Sequence, residues 1–334
     1  MPRRSTAVMT AGLAALLLAG CTGQSGSDGG QAKGFGGALP GRTSTGPTPT
    51  PTPTPTPPPT GPYVALGDSY TAGLKLGPQV GEPKGCSRSA VNYPSLVAKA
   101  LGLAQEQFRD VSCSGARTGD LTGAQQTDGG VANPPQLDAL SPATRLVTVG
   151  IGGNDAGFME VVGQCAKENL VDAVKGLVGS GRAAAPCRDH YSAGTGVDQV
   201  QRKVDAAGER LGQVLQEIKR RSPQARVYVV GYPGLLPADP GGCAPVLGAA
   251  VAAADLGFLV EKEQQLNAML QRRAETAGAV FVDAAAPSVG HDMCAGEAAR
   301  WVEPPFPAPG LAAIHPNAQG QQGLAAAVLK AVRG

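Results

Sequence analysis

Four short polar motifs hold the residues of this sequence that can do chemistry. Ser69 lies in "YVALGDSYTAG", Gly115 in "SCSGARTGD", Asn154 in "GIGGND" and His315 in "IHPNAQG". A serine hydroxyl is a weak nucleophile near neutral pH and needs a base within hydrogen-bond reach. Imidazole suits that work, because it exchanges a proton near neutral pH. Each motif alone has a structural explanation. Gly-Asp-Ser is ordinary turn chemistry, and Asn-Asp after glycines is an ordinary helix cap. Their common placement distinguishes them: three follow apolar runs, and the fourth precedes the last helical segment.

Those runs must be strands if the motifs are to meet. "PYVALGD", "FRDVSCSG", "ATRLVTVGIGGND", "ARVYVVGYP" and "AVFVDAA" are short and apolar, and they supply five strands. Between them, "NYPSLVAKALGL", "VDQVQRKVDAAGERLGQVLQEIKRRSP" and "DLGFLVEKEQQLNAMLQRRAETAG" have helical spacing, and "NAQGQQGLAAAVLKAVR" ends the chain. Pro223 stops the second helix and Gly278 the third. Strands alternating with helices predict a mostly parallel sheet covered on both faces, in one domain over residues 61–334. Ligands of such sheets bind outside the carboxyl ends of the strands, where the motifs sit.

In this order, "GDSY", the glycine of "CSGARTGD", "GGND" and "HPN" resemble the four blocks of the SGNH hydrolases, the GDSL esterase and lipase family. The similarity runs from Gly67 to Asn317. The three cysteine couples and "GHDMC" further resemble the secreted actinobacterial branch. The resemblance implies a three-layer α/β/α sandwich of flavodoxin-like SGNH type, with a mostly parallel five-stranded sheet. It implies a serine esterase or lipase working through an acyl-enzyme without cofactor or metal. Ser69 would be the nucleophile and His315 its base. The Ser69 N–H, the Gly115 N–H and the Asn154 side chain would form the oxyanion hole. A compact cleft without a large lid is also implied.

At one place the sequence departs from the family pattern. The usual aspartate lies three residues before the histidine, and here that position is Ala312. The Ala312 backbone carbonyl is the expected orienter of His315, with Glu303, Asp292 and Asp283 as substitutes. Asp68 and Asp155 are read as structural. His291 and Asp292 belong to a loop beside Cys294, and His190 to a surface loop beside Cys187. Trp301 and Phe306 either wall the acyl site or fill core. No GxGxxG, GK[ST] or GxSxG occurs at these motifs, so nucleotide binding and the α/β-hydrolase elbow lack support.

The chain has 334 residues and a net charge of +2, with no basic cluster suggesting nucleic acid. Arg3, Arg4 and "AVMTAGLAALLLAG" read as a signal peptide over residues 1–20. "LAGC" resembles a lipobox, which would make Cys21 the lipidated N-terminus; the alternative is an ordinary secreted protein. Residues 21–60, Gly/Ser-rich and then "TPTPTPTPTPTPPPT", read as a disordered tether. Six cysteines remain, an even number that suits disulfides outside the cytoplasm. Six allow 15 pairings; spacing favours Cys86–Cys113, Cys165–Cys187 and Cys243–Cys294. The expected partners are an acyl ester of a lipid or sugar and the membrane through Cys21, with the chain acting as a monomer. The competing functional reading is a tethered, non-catalytic cell-wall or glycan-binding lipoprotein.

Overall fold

The computed structural model describes residues 61–179, 181–192, 198–247 and 251–334. The signal peptide, Cys21 and the tether lie outside these residues. In chain order the described elements are β1 (Tyr63–Gly67), α1 (Ser69–Ala72), α2 (Tyr93–Ala100), β2 (Phe108–Asp110), β3 (Leu146–Gly150), α3 (Gly153–Ala156) and α4 (Phe158–Leu177). There follow α5 (Pro186–Ser192), α6 (Gln199–Arg221), β4 (Arg226–Val230), α7 (Ala244–Leu247), α8 (Ala253–Thr276), β5 (Val280–Val282) and α9 (Ala318–Arg333).

The five strands form one parallel sheet in the order β2-β1-β3-β4-β5. β2 and β3 flank β1, so the winding reverses direction beside the central strand. That reversal is the topological switch point at which open parallel sheets bind ligands. β1 is buried at all five positions, as its uninterrupted apolar run requires. Its alternate side chains enter different layers. Val64 and Leu66 pack with α6 and α8, through Leu211, Leu215, Leu266 and Leu270. Tyr63 and Ala65 pack with α2 and α9, through Tyr93, Val97, Leu324 and Val328. The result is the three-layer α/β/α sandwich.

The expected strands and four long helical segments are present with trimmed ends. α4 was not foreseen, and His190 sits on α5 rather than in a loop. Three disulfides, Cys86–Cys113, Cys165–Cys187 and Cys243–Cys294, have Cα separations of 4.2, 4.7 and 5.3 Å. Disulfides typically stabilise a fold by roughly 2–4 kcal/mol each. Cys243, Asp292 and Cys294 lie together, but the two sulfurs are bonded to each other and offer no thiolate to a metal.

Candidate active site

Gly67, the last residue of β1, has no room for a side chain. A Cβ there would lie 2.2 Å from Thr71 Oγ1 and 2.5 Å from the Gly150 carbonyl oxygen. The Gln136 side chain, fully buried, holds this strand end at two points. It accepts from Gly67 N–H at 2.8 Å and donates to the Gly67 carbonyl at 3.0 Å. The chain then turns into α1 with Asp68 as N-cap, its Oδ1 accepting from Tyr70 N–H at 2.9 Å. Ser69 occupies the first helical position. Its backbone N–H is therefore one of the groups without an intrahelical acceptor, and it points out of the helix start.

His315 reaches the same point from the far end of the sequence. Its Nε2 lies 2.8 Å from Ser69 Oγ, and its Nδ1 lies 2.8 Å from the Ala313 carbonyl oxygen. A carbonyl only accepts, so Nδ1 carries the proton. Nε2 is left with the lone pair that accepts the serine O–H. Burial pushes the imidazole below its usual range, as does the charge of Lys75, while the Ala313 bond opposes them. The ring is therefore neutral at pH 7.

The orienting carbonyl corrects the expectation placed on Ala312. The cause is Ile314, a β-branched residue held at φ +57° in the left-handed region. That conformation turns the chain sharply, so the carbonyl two residues before the histidine, not three, faces the ring. Ile314 is fixed there on both sides. Its N–H donates to the Glu303 carbonyl at 3.0 Å, and its carbonyl accepts from Tyr70 Oη at 2.6 Å. The candidate carboxylates are engaged elsewhere. Glu303 pairs with Arg300 and accepts from Asn317 Nδ2, Asp292 accepts from Cys294 N–H, and Asp283 accepts from Ala285 and Ala286.

Gly115 and Asn154 enter from the ends of β2 and β3. The chain after β2 continues beside β1, with Cys113 N–H donating to Gly67 O at 2.9 Å. The Cys86–Cys113 bridge and the bond from Ser114 N–H to Cys86 O hold that loop. Gly115 has φ +80°, a conformation that favours glycine. Asn154 Nδ2 donates to the Ala116 carbonyl at 2.9 Å, which ties the amide to this loop and leaves its second N–H for another acceptor. Asp155 has the structural place expected of it. It accepts from Thr118 N–H and Oγ1 and pairs with Arg210 of α6.

Ser69, Gly115, Asn154 and His315 line one cavity of about 230 Å³. Its remaining wall is largely apolar and includes Phe158, Met159, Leu235 and Leu266. Neither Trp301 nor Phe306 lines it. Trp301 stacks on His291 at 4.7 Å and packs against Gly323 of α9, while Phe306 is 89% exposed. Three features of the site were missed in the sequence. Tyr70 holds the histidine loop, as described. Tyr232 accepts from Gly153 N–H at 2.8 Å and donates to Asp68 Oδ2 at 2.5 Å, joining the Ser69 and Asn154 motifs. Burial pushes the Asp68 carboxyl up to about 6, against the bonds it receives from Tyr232, Tyr70 and Thr71. The third feature is Glu263 of α8, a buried carboxyl in the cavity wall.

Comparison with known proteins gives a consistent picture. The sequence profile of the GDSL-like lipase/acylhydrolase family matches residues 65–322. Lipase 2 of Streptomyces coelicolor is 38% identical over 267 residues, spanning 79% of this chain and 83% of that protein. Phospholipase A1 from Streptomyces albidoflavus NA297 superposes with a TM-score of 0.63 at 28% identity, over 82% of this chain and 99% of that one. An extracellular lipase from Streptomyces rimosus gives 0.62 at 29% identity, over 80% and 98%.

Proposed function

The chain belongs to the GDSL-like lipase/acylhydrolase family and is a carboxylic ester hydrolase, and from that premise we propose how its residues divide the reaction. Ser69 Oγ attacks the acyl carbonyl while His315 Nε2 takes the serine proton. The imidazolium returns a proton to the leaving alcohol, and an acyl-enzyme remains. Water, deprotonated by the same imidazole, then attacks the acyl carbonyl, and the imidazolium returns that proton to Ser69 Oγ as the acid leaves. The tetrahedral oxyanion is met by the Ser69 N–H, the Gly115 N–H and the free Asn154 N–H. Removing one such donor typically costs about 2.7–4 kcal/mol of barrier. The Ala313 carbonyl, a neutral dipole, keeps the ring in the tautomer the reaction needs.

The observation that carries this reading is the 2.8 Å contact between His315 Nε2 and Ser69 Oγ within the cavity that Gly115 and Asn154 also line. Lipid acyl esters are the proposed substrates, because the cavity wall beyond the reacting atoms is largely apolar. Three disulfides suit a location outside the cytoplasm, and lipidation at Cys21 would keep the enzyme at the membrane. The non-catalytic binder is disfavoured by the named hydrolases among its relatives.

The test is hydrolysis of short p-nitrophenyl esters by the wild type and by Ser69→Ala. The variant should lose about a thousandfold or more in kcat. Wild-type turnover in Ser69→Ala would refute the assignment.

A further inference from the structure

Adjoining the reaction cavity is a second, smaller one of about 40 Å³. Its walls include Val162, Leu236, Leu259, Met293 and Ile314, which supply apolar surface. Three residues line both spaces: Phe158, Leu235 and Glu263. They form the partition between them. Two of the three are what an apolar wall requires. The third is a carboxyl, buried at 7% exposure.

Glu263 is held rather than free. The Leu235 N–H donates to both of its oxygens at 3.1 Å, so one partition residue fixes the side chain of another. Burial, reinforced by Asp292, pushes the carboxyl up to about 8 despite that bond. At neutral pH it is therefore mainly the uncharged acid, which an aliphatic chain can approach without meeting a buried charge.

We propose that Glu263 sets the acyl-chain length this enzyme accepts: with Phe158 and Leu235 it closes the reaction cavity against the adjoining apolar space, which longer saturated chains enter only once that partition is opened. The inference rests on the ester-hydrolase reading and specifies the substrate class of that site. The reaction cavity is smaller than the ~300–1,000 Å³ usual for drug-sized ligands, so it suits short chains. The adjoining space is near the ~30 Å³ that one water occupies in the liquid, room for a carbon or two more. Joining the two extends the chain that can be buried.

The experiment compares kcat/KM for p-nitrophenyl butanoate, octanoate and dodecanoate in the wild type, Glu263→Ala, Leu235→Ala and Glu263→Gln, all as the full mature chain. Calorimetric Kd values for the corresponding free fatty acids are measured alongside. Glu263→Ala should raise the octanoate-to-butanoate ratio by about fourfold for each methylene newly buried. Leu235→Ala opens the partition while keeping the backbone N–H and the carboxyl, and should shift the ratio the same way. Glu263→Gln keeps size and acceptor and should keep the octanoate-to-butanoate ratio within about twofold of wild type. Octanoate should bind more tightly to both alanine variants and not to the glutamine variant. Unchanged ratios and Kd values in both alanine variants, with butanoate turnover intact, overturn the proposal and leave the ester-hydrolase reading standing. Tighter octanoate binding in a protein that hydrolyses no ester supports the partition and overturns the ester-hydrolase reading.

Discussion

His315 Nδ1 lies 2.8 Å from the carbonyl oxygen of Ala313, and among the described residues no carboxylate is hydrogen-bonded to the ring. The base of this site is oriented by a peptide dipole. Such a partner fixes the tautomer, because a carbonyl only accepts, but stabilises the imidazolium less than a carboxylate would. The nearby carboxylates serve the frame of the loop instead, Glu303 through Arg300 and Asn317.

Glu303→Gln should therefore leave kcat within a few-fold of wild type while lowering thermal stability, because it breaks the Arg300 pair and leaves that guanidinium without its carboxylate partner. Asp292→Asn should behave similarly toward kcat. Steady-state kinetics with a thermal melt on the same samples separates the two effects. A loss of about a thousandfold in kcat with the fold intact would mean a carboxylate does support His315, against the Ala313 geometry.

The pH profile follows from the ring's surroundings. Burial and Lys75 lower the His315 pKa, and the reaction needs the neutral ring. The acid limb of kcat/KM should accordingly have its midpoint below about 6.5, the ordinary histidine value. Asp68, pushed up to about 6, titrates in the same window. Asp68→Asn should retain the limb, since Asp68 bonds Tyr232 and not the reacting atoms. A midpoint above 6.5 in the wild type would contradict the buried, carbonyl-held ring.

Stability should also depend on pH through Glu263. Its folded pKa is raised from 4.5 to about 8. Below 4.5 both folded and unfolded chains hold the proton, and the full contribution is present. Between 4.5 and 8 only the folded chain holds it, so stability falls as pH rises. The loss attributable to this group is at most about 5 kcal/mol. Asp68 acts with the same sign up to about 6. Melting temperatures measured from pH 5 to pH 8 should fall for the wild type and fall less for Glu263→Gln. Parallel curves for the two proteins would remove Glu263 from the account.

Much of this site was legible in the sequence for local reasons. An apolar run ending in Gly67 announces both the strand and the serine turn after it, and β3 does the same for Asn154. His315 could be placed because the last helical segment, "NAQGQQGLAAAVLKAVR", begins two residues after it. Other features depend on contacts no local pattern carries. α4 buries Val161 and Cys165 but exposes Leu170, Val174 and Leu177, so its two faces are poorly contrasted. Glu263 stands in the charged run "EKEQQ", which reads as a solvated helix face until α8 is packed against Leu235. The choice of Ala313 over Ala312 turns on a left-handed Ile314, and isoleucine gives no hint of that conformation.

The relay between Ser69 and His315 is tested most directly by a fluorophosphonate probe, with the labelled residue mapped by mass spectrometry and the rate compared between wild type and His315→Ala. The account predicts stoichiometric labelling at Ser69, slowed by about a thousandfold or more without the imidazole. Labelling at another residue, or an equal rate in His315→Ala, would contradict it.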